Sequence, residues 1–145
     1  IYRIDPKREN ISRSRELKEI TRWFVVLMAV MVQFVIVLSG IGMDINVGSM
    51  VSLPIALMFV AAGNYLPKCR QNYTMGIKLP WTLADEDNWN RTHRMAGYVW
   101  TAGGILMLIM GFFHLASLFF LVLMAMVLIP SVYSYLIYRK KLKGI

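Results

Sequence analysis

The stretch Met95–Tyr138, MAGYVWTAGGILMLIMGFFHLASLFFLVLMAMVLIPSVYSYLIY, runs 44 residues without an Asp, Glu, Lys or Arg. A bilayer's hydrocarbon core is about 30 Å thick and takes roughly 20 helical residues to cross. The run is therefore long enough for two crossings with a tight turn around Phe113–Ser117. Two shorter charge-free stretches precede it, Trp23–Gly42 and Val47–Pro67. Together they predict an all-α polytopic membrane protein with four transmembrane helices, near 23–42, 49–66, 95–113 and 117–138.

Composition agrees. The chain has 145 residues, of which 57% are hydrophobic and 17% charged, and its mean hydropathy is +0.53. A soluble domain carries more charge and spreads it along the sequence. The first span is not a signal peptide, because it is too long, lacks a small-residue exit and follows a charged lead. The chain begins at Ile1 and not at Met, so the natural N-terminus is expected upstream.

The net charge of +8 raises the question of nucleic acid. All 16 Lys and Arg, however, fall in residues 1–22, 68–94 and 139–143, leaving the connections 43–48 and 113–117 without any. That alternation is what membrane orientation produces, with basic segments kept on the cytoplasmic side. It divides the chain into a charged approach (1–22), a helix pair (23–66), a motif loop (67–94), a second helix pair (95–138) and a basic tail (139–145). Both ends and the motif loop are expected in the cytoplasm, and no direct nucleic-acid contact is expected. In the approach, Leu17, Ile20 and Phe24 are spaced as on a helix, and Arg15 and Glu19 are one turn apart. A helix extending the first span and a solvated linker both fit.

The spans contain no Asp, Glu, Lys or Arg, which argues against an ion or proton transporter. Gln33 is the strongest polar residue in the first span and is expected to seek a partner on another helix. Pro54 stands near the start of the second span, where its missing N–H costs little. Pro130 stands near the middle of the fourth, where a kink is expected, with Ser131 and Ser134 available for the carbonyls it frees. Gly97, Gly104 and Gly111 recur every seven residues with Thr101 on the same face, a small-residue stripe for close helix contact. Cys69 is the sole cysteine, so neither an intramolecular disulfide nor a cysteine metal site can form. Its neighbours Lys68 and Arg70 could lower its pKa and make it reactive.

Residues 63–97, GNYLPKCRQNYTMGIKLPWTLADEDNWNRTHRMAG, form the dense polar island of the chain. Asn72 and Gly76 supply turn chemistry, and Pro80 forces the preceding residue extended. Thr82 with Asp85 is similar to a capping box, and Asp85, Glu86 and Asp87 would oppose the helix dipole. An interfacial helix over 83–94 puts Trp89 and His93 on one face, and it can run on into the third span. Trp81 and Trp89 at its ends suggest a helix at headgroup level. His93 with an acidic neighbour is a weak general-base reading. With His114 on the opposite side it makes no metal site, and no catalytic residue or cofactor is expected.

Gly63-Asn64, Pro67-Lys68, Asn72, Gly76-Ile77-Lys78, Pro80-Trp81-Thr82-Leu83, Trp89 and Thr92-His93-Arg94, with Gly97 opening the next span, resemble the SdpI-type immunity proteins. These are bacterial membrane proteins that protect a cell from a secreted sporulation-delaying toxin. Lys78-Leu79 departs from the Arg-Thr of that pattern. The resemblance implies a cytoplasmic-membrane protein of about six spans, the upstream pair preceding Ile1. It also implies two linked roles: immunity to a membrane-active peptide toxin, and signalling in which the engaged protein holds a small ArsR-like repressor at the membrane. The candidate functional motif is then Asn64, Pro67, Lys68, Asn72, Gly76, Lys78, Pro80, Trp81, Thr82, Trp89, Thr92, His93 and Arg94. The rival readings are a small-solute transporter or channel subunit, a structural partner in a membrane complex and, more weakly, a membrane enzyme using His93. Oligomeric state is not legible in the sequence.

Overall fold

The computed structural model describes residues 15–113, 115 and 118–144. The approach before Arg15 and the turn residues His114, Ala116 and Ser117 lie outside the described residues. Among the described residues five α-helices follow one another: α1 (Arg15–Gly40), α2 (Val47–Tyr65), a short α3 (Pro80–Ala84), α4 (Glu86–Phe112) and α5 (Phe119–Leu142). Four of them contain a stretch long and apolar enough to cross a bilayer, namely Lys18–Gly40, Met50–Lys68, Glu86–Phe112 and Phe119–Leu142. Their outward faces are apolar and exposed, as at Trp23, Phe34, Ile105, Phe120 and Leu128, which is the arrangement a lipid solvent requires. The protein is a multi-pass membrane protein.

The charged approach from Arg15 onward is helical and continuous with the first span. Glu19 pairs with Arg22 at 3.1 Å; the Arg15 side chain expected to pair with it lies outside the described residues. α1 ends in a cap built on Gly42, whose φ of 79° suits glycine. Met43 N–H reaches back to the Leu38 carbonyl and Gly42 N–H to that of Ser39, both at 3.1 Å, which satisfies the orphan carbonyls of the last turn.

α4 is the central element, packed between α2 and α5, while α1 lies mainly on α2. The glycine stripe makes the α2–α4 contact. A Cβ on Gly104 would stand 2.8 Å from Val60 N and 2.9 Å from Ala56 O. One on Gly97 would stand 2.8 Å from Gly63 O and 2.6 Å from Pro67 Cγ, and Gly63 in turn lies against Thr101. The helices therefore touch backbone to backbone. Ala56, Met107 and Met126 form the buried centre between α2, α4 and α5, with Phe59 and Trp100 packed edge to face beside them at 5.2 Å.

Three expectations need correction. Gln33 does not turn inward to another helix; it is exposed on α1 beside Ala29, Val30, Phe34 and Val37. Pro54 lies two turns inside α2 and is buried there. At Pro130, α5 continues as one helix, and the freed carbonyl, that of Met126, is taken by neither serine. Trp100 of α4 donates its indole N–H to it at 3.0 Å. Ser131 bonds the Val127 carbonyl instead, at 2.7 Å.

α4 has 27 residues, roughly 40 Å at 1.5 Å per residue, more than the hydrocarbon core needs. Its first two turns, Glu86–Arg94, extend beyond the charge-free run. Onto this projecting end the motif loop folds.

Candidate functional site

The loop is a folded cap, with Gln71, Asn72 and Thr82 buried inside it. After α2, Pro67 starts a single 3-10 turn over Leu66–Lys68. Asn72 is fully buried and acts through its side chain: Oδ1 accepts the Thr74 and Met75 amides at 2.9 and 2.6 Å, while Nδ2 donates to the Arg70 carbonyl at 2.7 Å. Gly76 has a φ of 103°. A Cβ there would run into His93 Nε2 and the Trp89 ring, so both conformation and space demand glycine.

His93 and Trp89 are both wholly buried, stacked with centroids 4.0 Å apart. The Ile77 N–H donates to His93 Nε2 at 2.9 Å. That nitrogen is thus unprotonated, and Nδ1 carries the proton toward the Trp89 carbonyl at 2.9 Å. Trp89 donates its indole N–H to the Cys69 carbonyl at 2.8 Å. One i, i+4 pair on α4 thereby fastens two points of the loop. Trp89 is a core residue and not the interfacial anchor expected of it. With both ring nitrogens engaged, His93 is not placed to act as a general base, and Asp85 and Asp87 pair with Lys141 instead. Cys69 is buried with Ala62 and Trp89, which removes the basis for a reactive surface thiol.

Thr82 does not cap the long helix. It sits inside α3, where its hydroxyl oxygen accepts the Leu79 N–H at 2.9 Å. Pro80 occupies the first turn of α3, as a residue without an N–H can. Asp85 caps α4 instead, accepting the Asp87 N–H at 3.1 Å. The buried amide of Gln71 donates to the carbonyls of Thr82 and Leu83 at 2.8 and 2.9 Å, tying the loop to α3.

A second network joins the cap to α5. Trp81 donates its indole N–H to the Ser134 hydroxyl at 2.8 Å. Ser134 donates to Asn88 Oδ1 at 2.8 Å, and Thr92 donates to the same oxygen at 2.9 Å. The Asn88 amide returns a bond to the Ser134 carbonyl at 3.1 Å. Asn88, Thr92 and Ser134 are fully buried. Trp81 also stacks on Tyr138 at 5.6 Å. At the rim, Lys141 reaches Asp85 at 2.6 Å and Asp87 at 2.8 Å. Partial burial pushes the Asp85 carboxyl up, but Lys141 and the Asn88 and Asp87 amides outweigh it, leaving the group below the usual carboxylate range. Among the described residues, every buried side-chain nitrogen and oxygen has a partner.

The thirteen motif positions thus divide into two sets. Asn72, Gly76, Trp81, Thr82, Trp89, Thr92 and His93 build the cap, together with Gln71, Asn88 and Ser134, which sequence reasoning did not assign to it. Asn64, Pro67, Lys68, Lys78, Pro80 and Arg94 face outward. Lys68 lies over the Tyr65 ring at 4.5 Å, and Lys78 contacts the Thr74 carbonyl at 3.4 Å. Asn64, Pro67 and Arg94 come together with Asn90, Tyr98 and Thr101 around an open groove of about 610 Å³. Gly63 and Gly97, at the close α2–α4 contact, also line it. Arg94 is the sole cation among its lining residues. The groove offers one guanidinium, two amides, a phenol and a hydroxyl, a set that suits a carboxylate or phosphate oxygen and peptide groups.

The model of the SdpI/YfhL protein family matches residues 68–134. The chain is also similar to "Immunity protein SdpI" of Bacillus subtilis (strain 168), with 27% identity over 122 residues, covering 83% of this chain. The chain spans 59% of that relative's length. No solved structure matches. The family match thus runs from the cap through α4 into α5, over the stretch that holds Pro80-Trp81-Thr82 and Thr92-His93-Arg94, from which the resemblance was first read.

Proposed function

We propose that this chain is part of a bacterial immunity protein of the cytoplasmic membrane, which protects the cell from a secreted, membrane-active peptide toxin. In this reading both of its ends and the cap face the cytoplasm, and the toxin-engaged protein holds a small ArsR-like repressor against the cap. The protein works by binding and does not catalyse a reaction. The likeness to a named immunity protein supports the first role. The observation that carries the binding role is the division of the motif: a buried half builds the cap, and of the outward half Asn64 and Pro67 gather with Arg94 around one groove.

The test is toxin survival of cells expressing Arg94→Ala in the full-length protein, alongside membrane recruitment of any repressor encoded beside it. Arg94 is exposed, so membrane level and melting temperature should stay within error of wild type. Survival and recruitment should both fall at least tenfold, and Arg94→Lys should recover only part, since lysine loses the planar fork. Normal survival and recruitment in Arg94→Ala would reduce the motif to a folding element.

Orientation has its own test. Because Cys69 is buried, a reporter must be introduced: Lys78→Cys in a Cys69→Ala background. A membrane-impermeant maleimide should leave it unlabelled in intact cells and label it after permeabilisation. Labelling in intact cells would invert the topology.

A further inference from the structure

A second groove lies on another side of α4, against the end of α5, and none of the motif residues lines it. It has a volume of about 500 Å³, and Arg91, Arg139, Lys140, Lys141 and Lys143 stand around it over an apolar lining of Tyr133, Leu136 and Ile137. Its cations are not equivalent. Lys141 is held by Asp85 and Asp87 at 2.6 and 2.8 Å, whereas Arg91 reaches the same Asp87 oxygen only at 3.8 Å. Arg139 lies 6.0 Å from the Tyr135 ring centre. With both nearby carboxylates drawn to Lys141, a net positive rim remains.

The position of the groove specifies its chemistry. The charge-free run of α5 ends at Tyr138, and Arg139 begins the basic turn, so the rim falls where a spanning helix leaves hydrocarbon for headgroups. Leu136 is exposed just inside it. A free anion would use the rim and ignore the apolar lining; a soluble acidic protein would have to reach to the bilayer surface. An anionic phospholipid uses both, its phosphodiester on the rim and an acyl chain along Tyr133 and Leu136. We propose that this α4–α5 groove binds the headgroup of an anionic phospholipid, clamping the cap to the membrane surface.

The experiment uses the full chain purified in a neutral detergent and titrated with phosphatidylglycerol, phosphatidylcholine or inorganic phosphate, with bound lipid counted by native mass spectrometry. Wild type should retain phosphatidylglycerol in preference to phosphatidylcholine. The variant Arg139→Gln, Lys140→Gln, Lys143→Gln should lose about a hundredfold in that affinity, given the contribution of each cation near a charged surface. The control Lys68→Gln, Arg70→Gln, Lys78→Gln removes the same charge from exposed cap positions and should keep it. Equal loss in both variants would show general charge attraction and overturn the site. So would equal retention of the two lipids, or competition by millimolar phosphate, which would mark a free-anion site.

Discussion

In Trp89→Ala, Cys69 should become reactive toward a soluble maleimide under conditions where the wild-type thiol is inert. The wild-type thiol is buried beneath Trp89, and its own backbone carbonyl accepts the Trp89 indole N–H. Removing a fully buried tryptophan costs about 3–5 kcal/mol. The lost bond also strands a carbonyl, and His93 loses the ring it stacks on. The charge-free spans are untouched, so insertion in the membrane should be normal and the loss confined to the cap. Labelling rates that match wild type would show that the cap does not depend on this stack.

Gly104→Leu should produce the second large effect, on the bundle and not on the cap. A side chain there meets main chain, Val60 N and Ala56 O, which cannot rotate away as a flexible side chain would. Overpacking of that kind costs about 3 kcal/mol, the upper part of its usual range, unless α2 moves off α4. Gly40→Leu is the matched control, because nothing lies within 4 Å of a Cβ at that position. Melting in detergent should drop by many degrees for the first and barely for the second. Equal drops would mean that the stripe is not the α2–α4 contact.

The spans were legible because hydrocarbon imposes a length and a composition that nothing else in a sequence imitates. The glycine stripe was legible for a related reason, since small residues at a fixed period have few other uses in lipid. The cap was half legible. Its residues were named, but Trp89 was assigned to the wrong place: among charged neighbours it looks interfacial, and only tertiary folding of the loop buries it. Asn88 and Gln71 were passed over because nothing in their spacing says that an amide will turn inward. One signal was available, the run Asn88-Trp89…Thr92-His93, in which two i, i+4 pairs sit side by side on α4. Thr82 was misplaced because a three-residue offset to an acid fits two registers, and the structure uses Thr82 inside α3 and Asp85 as the cap of α4. The partner of the carbonyl freed by Pro130 could not be found locally at all, since Trp100 lies on a different helix.

That last bond limits how the protein can move. The Met126 carbonyl has no amide of its own helix to meet, and a bare carbonyl in hydrocarbon costs several kcal/mol. Sliding α5 along α4 by one turn would uncover it, so the indole of Trp100 acts as a register stop within the bilayer. Ser134 and Asn88 supply a second stop two turns further on. Pinned at two heights, α4 and α5 form a single lever with the cap at its end. A partner that grips the cap therefore pulls on the whole pair.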